Sequence, residues 1–380
     1  MHPDLAAELT QLTCDLIRIE SIASRPENLN AVMDYVAAYL ATIPDIFVEY
    51  TQAGGKPAIV ATLQPTRSPA LMLNGHTDVV VGRPAQFIPQ VRDGRIYGRG
   101  AQDMKGSVAV MLRLVRDLAA RSERPDVGFQ FVSDEEIGGE LGTARLLQEG
   151  WRCGFMLCLE PTDLGILYEH KGAMWIDMRL RGTPAHGSRP WEGHNPVYAL
   201  AHGIAKLERR FPPPSADSWC TSVSPTLIQV GDGSNNQIPS SATFTFDVRF
   251  TADESVESIT AILEEYFPDA EILCTRPAVP LRTDPNHPQV QRLASLIAEH
   301  TGAPARFYRE HFSTDARYYT DAGIPAICFG PVGAGLHSDD EWVDVASLTT
   351  LYQIIMDVIG YYDLCTPNYP RSGSTRVARS

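Results

Sequence analysis

Hydrophobic residues recur at two spacings along the 380-residue chain and divide it into predicted helices and strands. From Leu5 to about Ile43 the spacing is helical, with a break near 21–26, which predicts two opening helices. Short apolar runs that end in turn residues then alternate with longer amphipathic runs, which predicts alternating strands and helices. The predicted strands are 57–63, 70–75, 127–132 and 155–159, and the helices between them are 106–120 and 142–149. This alternation is typical of an α/β domain with a mostly parallel sheet.

The pattern changes after about residue 170. The order becomes strand, helix, strand, strand, helix, strand, which is the ferredoxin-like order of a small α+β domain. The segments are 172–180, 195–210, 225–230, 242–250, 254–267 and 271–273. The helix 290–300, the strand 326–329 and the helix 346–361 then return the chain to α/β material. We therefore predict an α/β domain at 1–169 and 282–365, an inserted α+β domain at 170–281, and a mobile tail at 366–380.

Composition and charge exclude several classes of function. The net charge of −14 argues against a nucleic-acid or anionic-membrane surface, because such surfaces need clustered Lys and Arg. No basic segment followed by an apolar run opens the sequence, and no apolar run reaches the roughly 18 residues of a membrane span. The seven cysteines are scattered and mostly lie in apolar surroundings, which is typical of reduced thiols. We expect a cytoplasmic protein without nucleic-acid or membrane partners.

Polar residues that suit metal binding follow the predicted strands. They are His76, Asp78, Asp103, Glu135, Glu136, Glu160 and His337. Each alone has an ordinary explanation: Asp103 also fits a helix N-cap, and the acidic run 134–136 also fits a solvated loop. Together they bring two histidines and several carboxylates to the carboxyl ends of strands, where ligands gather in an open α/β sheet.

The chemistry of this set predicts a catalytic metal site. A carboxylate such as Glu160 is costly to bury unless it is paired or bound to a metal. The set contains nitrogen and oxygen donors without thiolates, which suits two divalent ions, zinc first and cobalt or manganese as alternatives. Two ions about 3.5–4 Å apart commonly share a carboxylate and activate a water between them.

Five motifs, in this order and spacing, resemble the metallopeptidase and deacylase family of acetylornithine deacetylase and succinyl-diaminopimelate desuccinylase. The resemblance covers nearly the whole chain, from Leu5 to about Tyr361. The motifs are His76-x-Asp78, Gly100-Ala101-Gln102-Asp103-Met104-Lys105-Gly106, Asp134-Glu135-Glu136-x-Gly138-Gly139, Glu160-Pro161-Thr162 and His337.

The resemblance implies a role for each of these residues. His76 and Glu160 would bind one metal, Glu136 and His337 the other, and Asp103 would bridge the two. Asp78 would orient His76. Glu135 would be the general base that takes a proton from the attacking water and returns it to the leaving amine.

The resemblance also implies roles in the inserted domain, which would be a lid and the dimerisation domain of a homodimer. His186 would help to stabilise the oxyanion in the partner's active site. The same sequence also fits a surface histidine in a turn. Asn236 and Thr314 would contact substrate, and Arg249 would bind a substrate carboxylate. An arginine in this position equally fits a surface ion pair.

Two departures from the family pattern leave the substrate open. His311-Phe312-Ser313 precedes Thr314 where family members often have two glycines, and the doubled arginine of the desuccinylase is missing from 168–172.

The resemblance implies a di-metal amidohydrolase that cleaves an N-acyl amino acid to a carboxylate and a free amino acid. The alternatives are a dipeptidase or carboxypeptidase of the same family and a non-catalytic binding protein of the same fold. A Ser-His-Asp hydrolase is disfavoured because no G-x-S-x-G elbow follows a strand.

Overall fold

The structure is a computed structural model that describes residues 3–231 and 234–365. The chain forms two compact units. Unit 1 comprises the described residues of Met1–Ile166, Pro285–Phe307 and Cys328–Ser380, and unit 2 comprises those of Leu167–Asp284 and Tyr308–Ile327. The tail predicted at 366–380 lies outside the described residues.

The helices fall close to the predicted ones. The helices of the described residues are α1 (Pro3–Ile17), α2 (Pro26–Leu40), α3 (Gly106–Ala119), α4 (Thr143–Gln148), α5 (Pro196–Arg210), α6 (Val256–Tyr266), α7 (Pro288–Thr301), α8 (Ala316–Asp321) and α9 (Val345–Cys365). No helix in 3–231 or 234–365 is both long and apolar enough to cross a lipid bilayer.

The strands include every predicted one and several short ones that the hydrophobic pattern does not reveal. They are β1 (Phe47–Ala53), β2 (Lys56–Thr62), β3 (Leu71–His76), β4 (Gln90–Arg92), β5 (Arg95–Tyr97), β6 (Val127–Val132), β7 (Phe155–Cys158), β8 (Ile166–His170), β9 (Gly172–Arg181), β10 (Ala185–His186), β11 (Ser222–Val230), β12 (Gln237–Ile238), β13 (Ser241–Phe250), β14 (Ala270–Ala278), β15 (Leu281–Arg282), β16 (Phe307–Glu310), β17 (Ala326–Cys328), β18 (Gly333–Ala334) and β19 (Trp342–Asp344).

Unit 1 is built on a mixed sheet whose centre is parallel. Within it the strand order is β1-β2-β6-β3-β7; β3 runs parallel to β6 and β7, whereas β1 and β2 are antiparallel additions. Every residue of β2, β3, β6 and β7 is buried, which is why these strands are continuous apolar runs. The mixed α/β class is confirmed, and the parallel part is the part that carries the site.

The register of the parallel strands determines which residues meet at their carboxyl ends. His76, the last residue of β3, lies opposite Val132, the last residue of β6. On the other side of β3, Asn74 lies opposite Cys158 of β7. His76 follows Asn74 by two residues and Glu160 follows Cys158 by two residues, so the two are at equivalent positions. The segments that follow β3, β6 and β7 therefore leave the sheet side by side.

Unit 2 contains the predicted ferredoxin-like domain. Its four-stranded sheet is antiparallel in the order β11-β13-β9-β14, and α5 and α6 belong to its hydrophobic core. The aromatic residues Phe244, Phe246 and Phe267 pack with ring centroids 5.2–5.5 Å apart in that core. At one edge of the sheet, β11 exposes Leu227 and Ile228, which are 62% and 51% exposed.

Candidate active site

Two groups of metal-binding side chains lie together in unit 1. Within each group the donor atoms are within 4.8 Å of one another. One group is His76, Glu135 and Glu160, and the other is Asp103, Glu136 and His337. The structure thus brings together all five predicted ligands and Glu135.

Asp103 belongs to the second group and also contacts the first. Its Oδ1 is 2.9 Å from Nε2 of His76, and its Oδ2 is 3.5 Å from Nε2 of His337. The other contacts are made within each group. His76 Nε2 is 3.8 Å from Glu160 in the first group, and His337 Nε2 is 3.3 Å from Glu136 in the second. One carboxylate that offers a separate oxygen to each group is the geometry that a bridging ligand requires.

Asp78 supports both groups at once. Its backbone carbonyl lies 2.9 Å from Nδ1 of His76, so this ring nitrogen donates a hydrogen bond and Nε2 keeps its lone pair. The Asp78 carboxylate is farther from that ring, at 3.5 Å, and instead accepts the backbone N–H groups of Glu135 and Glu136 at 3.3 and 3.0 Å. The carbonyl therefore orients His76, and the carboxylate holds the acidic turn.

Glu135 and Glu136 lie in a single 3₁₀ turn, Glu135–Ile137, directly after β6 and Ser133–Asp134. The turn ends at Gly138, whose φ of 117° disfavours any residue with a side chain. Its N-terminal N–H groups are the ones that Asp78 accepts, so the repulsion within the acidic run is offset locally. The turn presents the Glu135 carboxylate to one metal group and the Glu136 carboxylate to the other.

Glu341 is a buried residue of the site that the motifs do not reveal. Its carboxylate is 1% exposed and accepts from Arg99 at 2.7 Å and from the backbone N–H of Gly100, Gln102 and Asp103 at 2.9, 3.0 and 3.1 Å. These bonds hold the loop that carries Asp103. In the sequence Glu341 ends the acidic run 339–341, which is typical of a solvated loop, and only the apolar strand that follows it hints at burial.

Two further buried contacts fix the segment around Asp103. Lys105 Nζ donates to the carbonyls of Leu16 and Ile19 at 3.0 and 2.8 Å, and burial lowers the pKa of Lys105 to about 7. Ser107 Oγ donates to the carbonyl of Leu159 at 2.6 Å, next to Glu160. The start of α3 is therefore anchored both to the end of α1 and to the end of β7.

The electrostatics of the site indicate bound cations. The four carboxylates of the two groups share a small volume with two histidines. Burial raises the pKa of Glu160 well above its usual range, because its ionised form has lost its hydration. Hydrogen bonds to Asp103 and Glu136 raise the pKa of His337 to about 10, which shows how strongly this region favours positive charge. The donor atoms therefore fit two divalent ions, which would relieve the repulsion among these carboxylates.

His337 reaches the site from a constrained loop. Its φ of 57° is left-handed, which is uncommon for a residue other than glycine, and Gly335 two positions earlier also has a positive φ of 83°. Its side chain is 55% exposed, whereas that of His76 is 1% exposed. Such backbone conformations are found where a side chain must be aimed.

In unit 2, His186 and Asn236 lie next to each other. Strand β10 pairs with β12, so His186 lies opposite Gln237, and the N–H of Gly187 donates to the Asn236 carbonyl at 2.6 Å. Nδ1 of the exposed His186 accepts the N–H of Ser188 at 3.2 Å. In the neutral ring the hydrogen is then on Nε2, where the side chain can act as a donor.

Arg249 and Thr314 have partners of their own in unit 2. The guanidinium of Arg249 forms two hydrogen bonds with Asp247, at 2.8 and 3.0 Å, and lies 5.1 Å from the ring centre of Trp175. This is the ion pair that the alternative interpretation of Arg249 predicts. Thr314 is 1% exposed, and its N–H donates to Nε2 of the buried His170 at 3.1 Å.

Comparisons with known proteins agree with this architecture. Residues 72–360 match the model of Peptidase family M20/M25/M40. A succinyl-diaminopimelate desuccinylase of Xylella fastidiosa (strain M12) is 31% identical over 377 residues, which cover 92% of this chain and 98% of that protein.

Solved structures show the same fold. A tripeptidase from Staphylococcus aureus superposes with a TM-score of 0.76 at 20% identity and covers 94% of this chain and 98% of its own. A dinuclear metal-binding peptidase from Bacillus subtilis superposes with a TM-score of 0.63 at 16% identity and covers 94% and 98%. These likenesses show the fold, and the family match together with the two ligand groups supports two metal ions.

The family match and the desuccinylase relative make the chain a metal-dependent hydrolase of amide bonds. It belongs to Peptidase family M20/M25/M40.

Proposed function

We propose that the chain hydrolyses the amide bond of an N-acyl amino acid and releases a carboxylate and a free amino acid. The observation that carries this proposal is the pair of ligand groups joined by Asp103, with Glu135 beside them. The desuccinylase relative at 31% identity favours an N-acyl amino acid as substrate.

In this proposal the ligands divide as the geometry of the two groups favours. His76 and Glu160 would hold one ion, Glu136 and His337 would hold the other, and Asp103 would be shared by both. Zinc is the metal that we propose, because the donors are histidine nitrogens and carboxylate oxygens without thiolates; cobalt and manganese suit the same donors. Bound divalent ions supply Lewis acidity, which polarises a carbonyl and acidifies a water.

Glu135 is the proposed general base. Its carboxylate lies with His76 and Glu160 and is only partly buried, so water can reach it. It takes a proton from the attacking water and later gives it to the nitrogen of the leaving amine, which breaks the C–N bond. Asp78 holds the N–H of Glu135 and thereby keeps the carboxylate in place during both transfers.

The unit 2 residues have substrate roles in the proposal. His186 carries its hydrogen on Nε2 and is exposed, so it can donate to the oxyanion in the active site of a partner subunit. Asn236 lies beside it and would contact the same substrate. Arg249 would bind a substrate carboxylate only if Asp247 shares or releases its guanidinium. Thr314 is buried, with its N–H bound to His170, and a substrate contact is proposed for it from the family resemblance alone.

A homodimer is part of the proposal. The edge strand β11 exposes Leu227, Ile228 and Val230, and an exposed apolar edge strand is unfavourable in a monomer. We propose that two copies cover this edge, with the inserted domain at 170–281 as the dimerisation domain. Six cysteines, Cys14, Cys153, Cys158, Cys220, Cys274 and Cys328, are free thiols and four of them are buried, which supports a cytoplasmic location.

A substrate screen tests the proposed activity. The purified enzyme is incubated with zinc, cobalt or manganese and with N-acetyl amino acids, N-succinyl amino acids and dipeptides, and the free amine is measured. Turnover of an N-acyl amino acid above all dipeptides is the expected result. A dipeptidase of the same family is the second candidate, and a preference for dipeptides in this screen would establish it instead.

A further inference from the structure

Unit 2 contains a cluster of basic side chains that the proposed chemistry does not use. Three of them surround the indole of Trp219. Lys171 Nζ is 5.4 Å from the ring centre, Arg309 Cζ is 4.6 Å from it, and the ring of His311 is 5.5 Å from it. We call Lys171, Trp219 and Arg309 the Trp219 cluster.

Lys171 is the unusual member of the cluster. The residue is only 2% exposed, yet within 3–231 and 234–365 its ammonium has neither a hydrogen-bond acceptor nor a carboxylate within 4.0 Å. Burial lowers the pKa of Lys171, as expected for a cation that has lost water without gaining an anion. The face of Trp219 offsets only part of that loss.

The nearest acidic partner does not neutralise the cluster. Glu169 lies 3.9 Å from Arg309, at the outer limit of an ion pair, and does not reach Lys171. Arg309 is 41% exposed, so its guanidinium is open to solvent on one side. Among the residues that the structure describes, two cations thus share one aromatic ring, while Glu169 lies at the edge of ion-pair distance from Arg309 and Glu310 acts on the neighbouring His311.

We propose that Lys171, Arg309 and Trp219 form a binding site for a carboxylate group. A guanidinium offers two parallel donors to a carboxylate, and the ammonium supplies a second charge from the protein interior. The indole forms a flat apolar wall for the ligand. The carboxylate comes either from the substrate, in which case this inference rests on the proposed function, or from a free carboxylate that binds unit 2 separately.

Direct binding tests the site without any turnover. Succinate is titrated into the metal-loaded protein, and Trp219 emission and the binding heat are recorded. The expected result is a change in emission that Trp219→Phe removes, which separates this site from any binding of succinate at the metals. Lys171→Met should weaken this binding at least tenfold. The matched control is Lys206→Met, because Lys206 also lies over an aromatic ring, at 6.0 Å from Tyr266, but is exposed.

Two measurements guard against a folding artefact. Because the ammonium of Lys171 lacks an anion, Lys171→Met should raise the melting temperature without succinate while abolishing the rise that succinate causes in the wild type. If Lys171→Met does not fold, Arg309→Met replaces a half-exposed residue and should weaken succinate binding several-fold. Equal succinate binding in the wild type and in the variant that folds, or a response to inorganic phosphate alone, would overturn the proposal.

Kinetics then identify the source of the carboxylate. N-acetyl and N-succinyl derivatives of one amino acid differ by a carboxylate on the acyl group. A tenfold rise in KM for the N-succinyl substrate alone in Lys171→Met assigns the site to the acyl carboxylate. An equal rise for both substrates assigns it to the amino-acid carboxylate. Unchanged KM values with lost Trp219-reported binding assign it to a free carboxylate. Absence of turnover would contradict the proposed function and leave the binding result standing.

Discussion

The two units hold their candidate residues in different ways. In unit 1, His76 contacts Asp103 and Glu160, and the N–H of Asp103 donates to Glu341, so these residues are held by contacts between segments far apart in sequence. In unit 2, His186 and Arg249 contact neighbours only two residues away, Ser188 and Asp247. The first arrangement is complete within the fold, whereas the second leaves side chains available to something else. We propose from this comparison that unit 1 supplies the reaction and unit 2 supplies recognition.

The largest expected effect belongs to Glu135. Glu135→Gln keeps the size of the side chain but removes the base, so turnover should fall by about 10²–10⁴-fold. Metal content, measured by elemental analysis, should stay at the wild-type value. Glu140→Gln, an exposed acid in the same loop, serves as the control and should turn over normally. Loss of a metal ion in Glu135→Gln would make Glu135 a ligand rather than the base.

His186 tests whether unit 2 takes part in the reaction. If it donates to the oxyanion in a partner's site, His186→Ala should lower kcat by about 10²–10³-fold without loss of metal. Mixing the inactive His186→Ala and Glu135→Gln proteins should restore activity, because one site of each mixed dimer then has both residues. Failure of the mixture to recover activity, or a monomeric mass in sedimentation, would contradict a role in trans.

Glu341 tests whether the buried bonds of unit 1 matter for metal binding. Glu341→Gln places an amide donor among the four N–H groups that the carboxylate accepts, so the loop around Asp103 should shift. Metal affinity should fall by about 10–100-fold, measured by competition with a chelator. Activity should recover at high metal concentration, since Glu341 itself does not touch substrate. Asp340→Asn, an exposed neighbour, should match the wild type.

The smallest effect concerns stability and involves His170 in unit 2. Burial lowers the pKa of His170 to about 4 from an ordinary value of 6.5. Below pH 6.5 the unfolded chain takes up a proton that the folded one does not, so stability is full above pH 6.5 and declines toward pH 4. The loss should reach about 3 kcal/mol. Denaturant titrations should show a flatter pH dependence for His170→Gln than for the wild type. His202→Gln provides a control, because His202 is exposed. An equal pH dependence in the wild type, His170→Gln and His202→Gln would refute the prediction.

Sequence patterns predict most of the metal groups because His76, Glu160 and the acidic turn follow apolar strands and Asp103 precedes a helix, whereas His337 lies in a loop. His76 and Glu160 leave parallel neighbours, so knowledge of the strands is enough to bring them together. Glu341 is different, since an acid in an acidic run is exposed unless distant N–H groups surround it. The pairing of Arg249 with Asp247 could have been anticipated, because residues two apart on a strand face the same side. The Trp219 cluster depends on segments from three parts of the chain and has no sequence pattern.

Asp78 makes the two metal positions dependent on each other. The backbone carbonyl of Asp78 orients the imidazole of His76 in one metal group. The carboxylate of Asp78 accepts the N–H of Glu136, which belongs to the other metal group. A change of ion at the first position that moves His76 by a fraction of an ångström is therefore transmitted to Glu136. A redesign for a larger or smaller metal would have to alter both positions together, and mixed-metal forms of the enzyme should differ from the average of the two uniform forms.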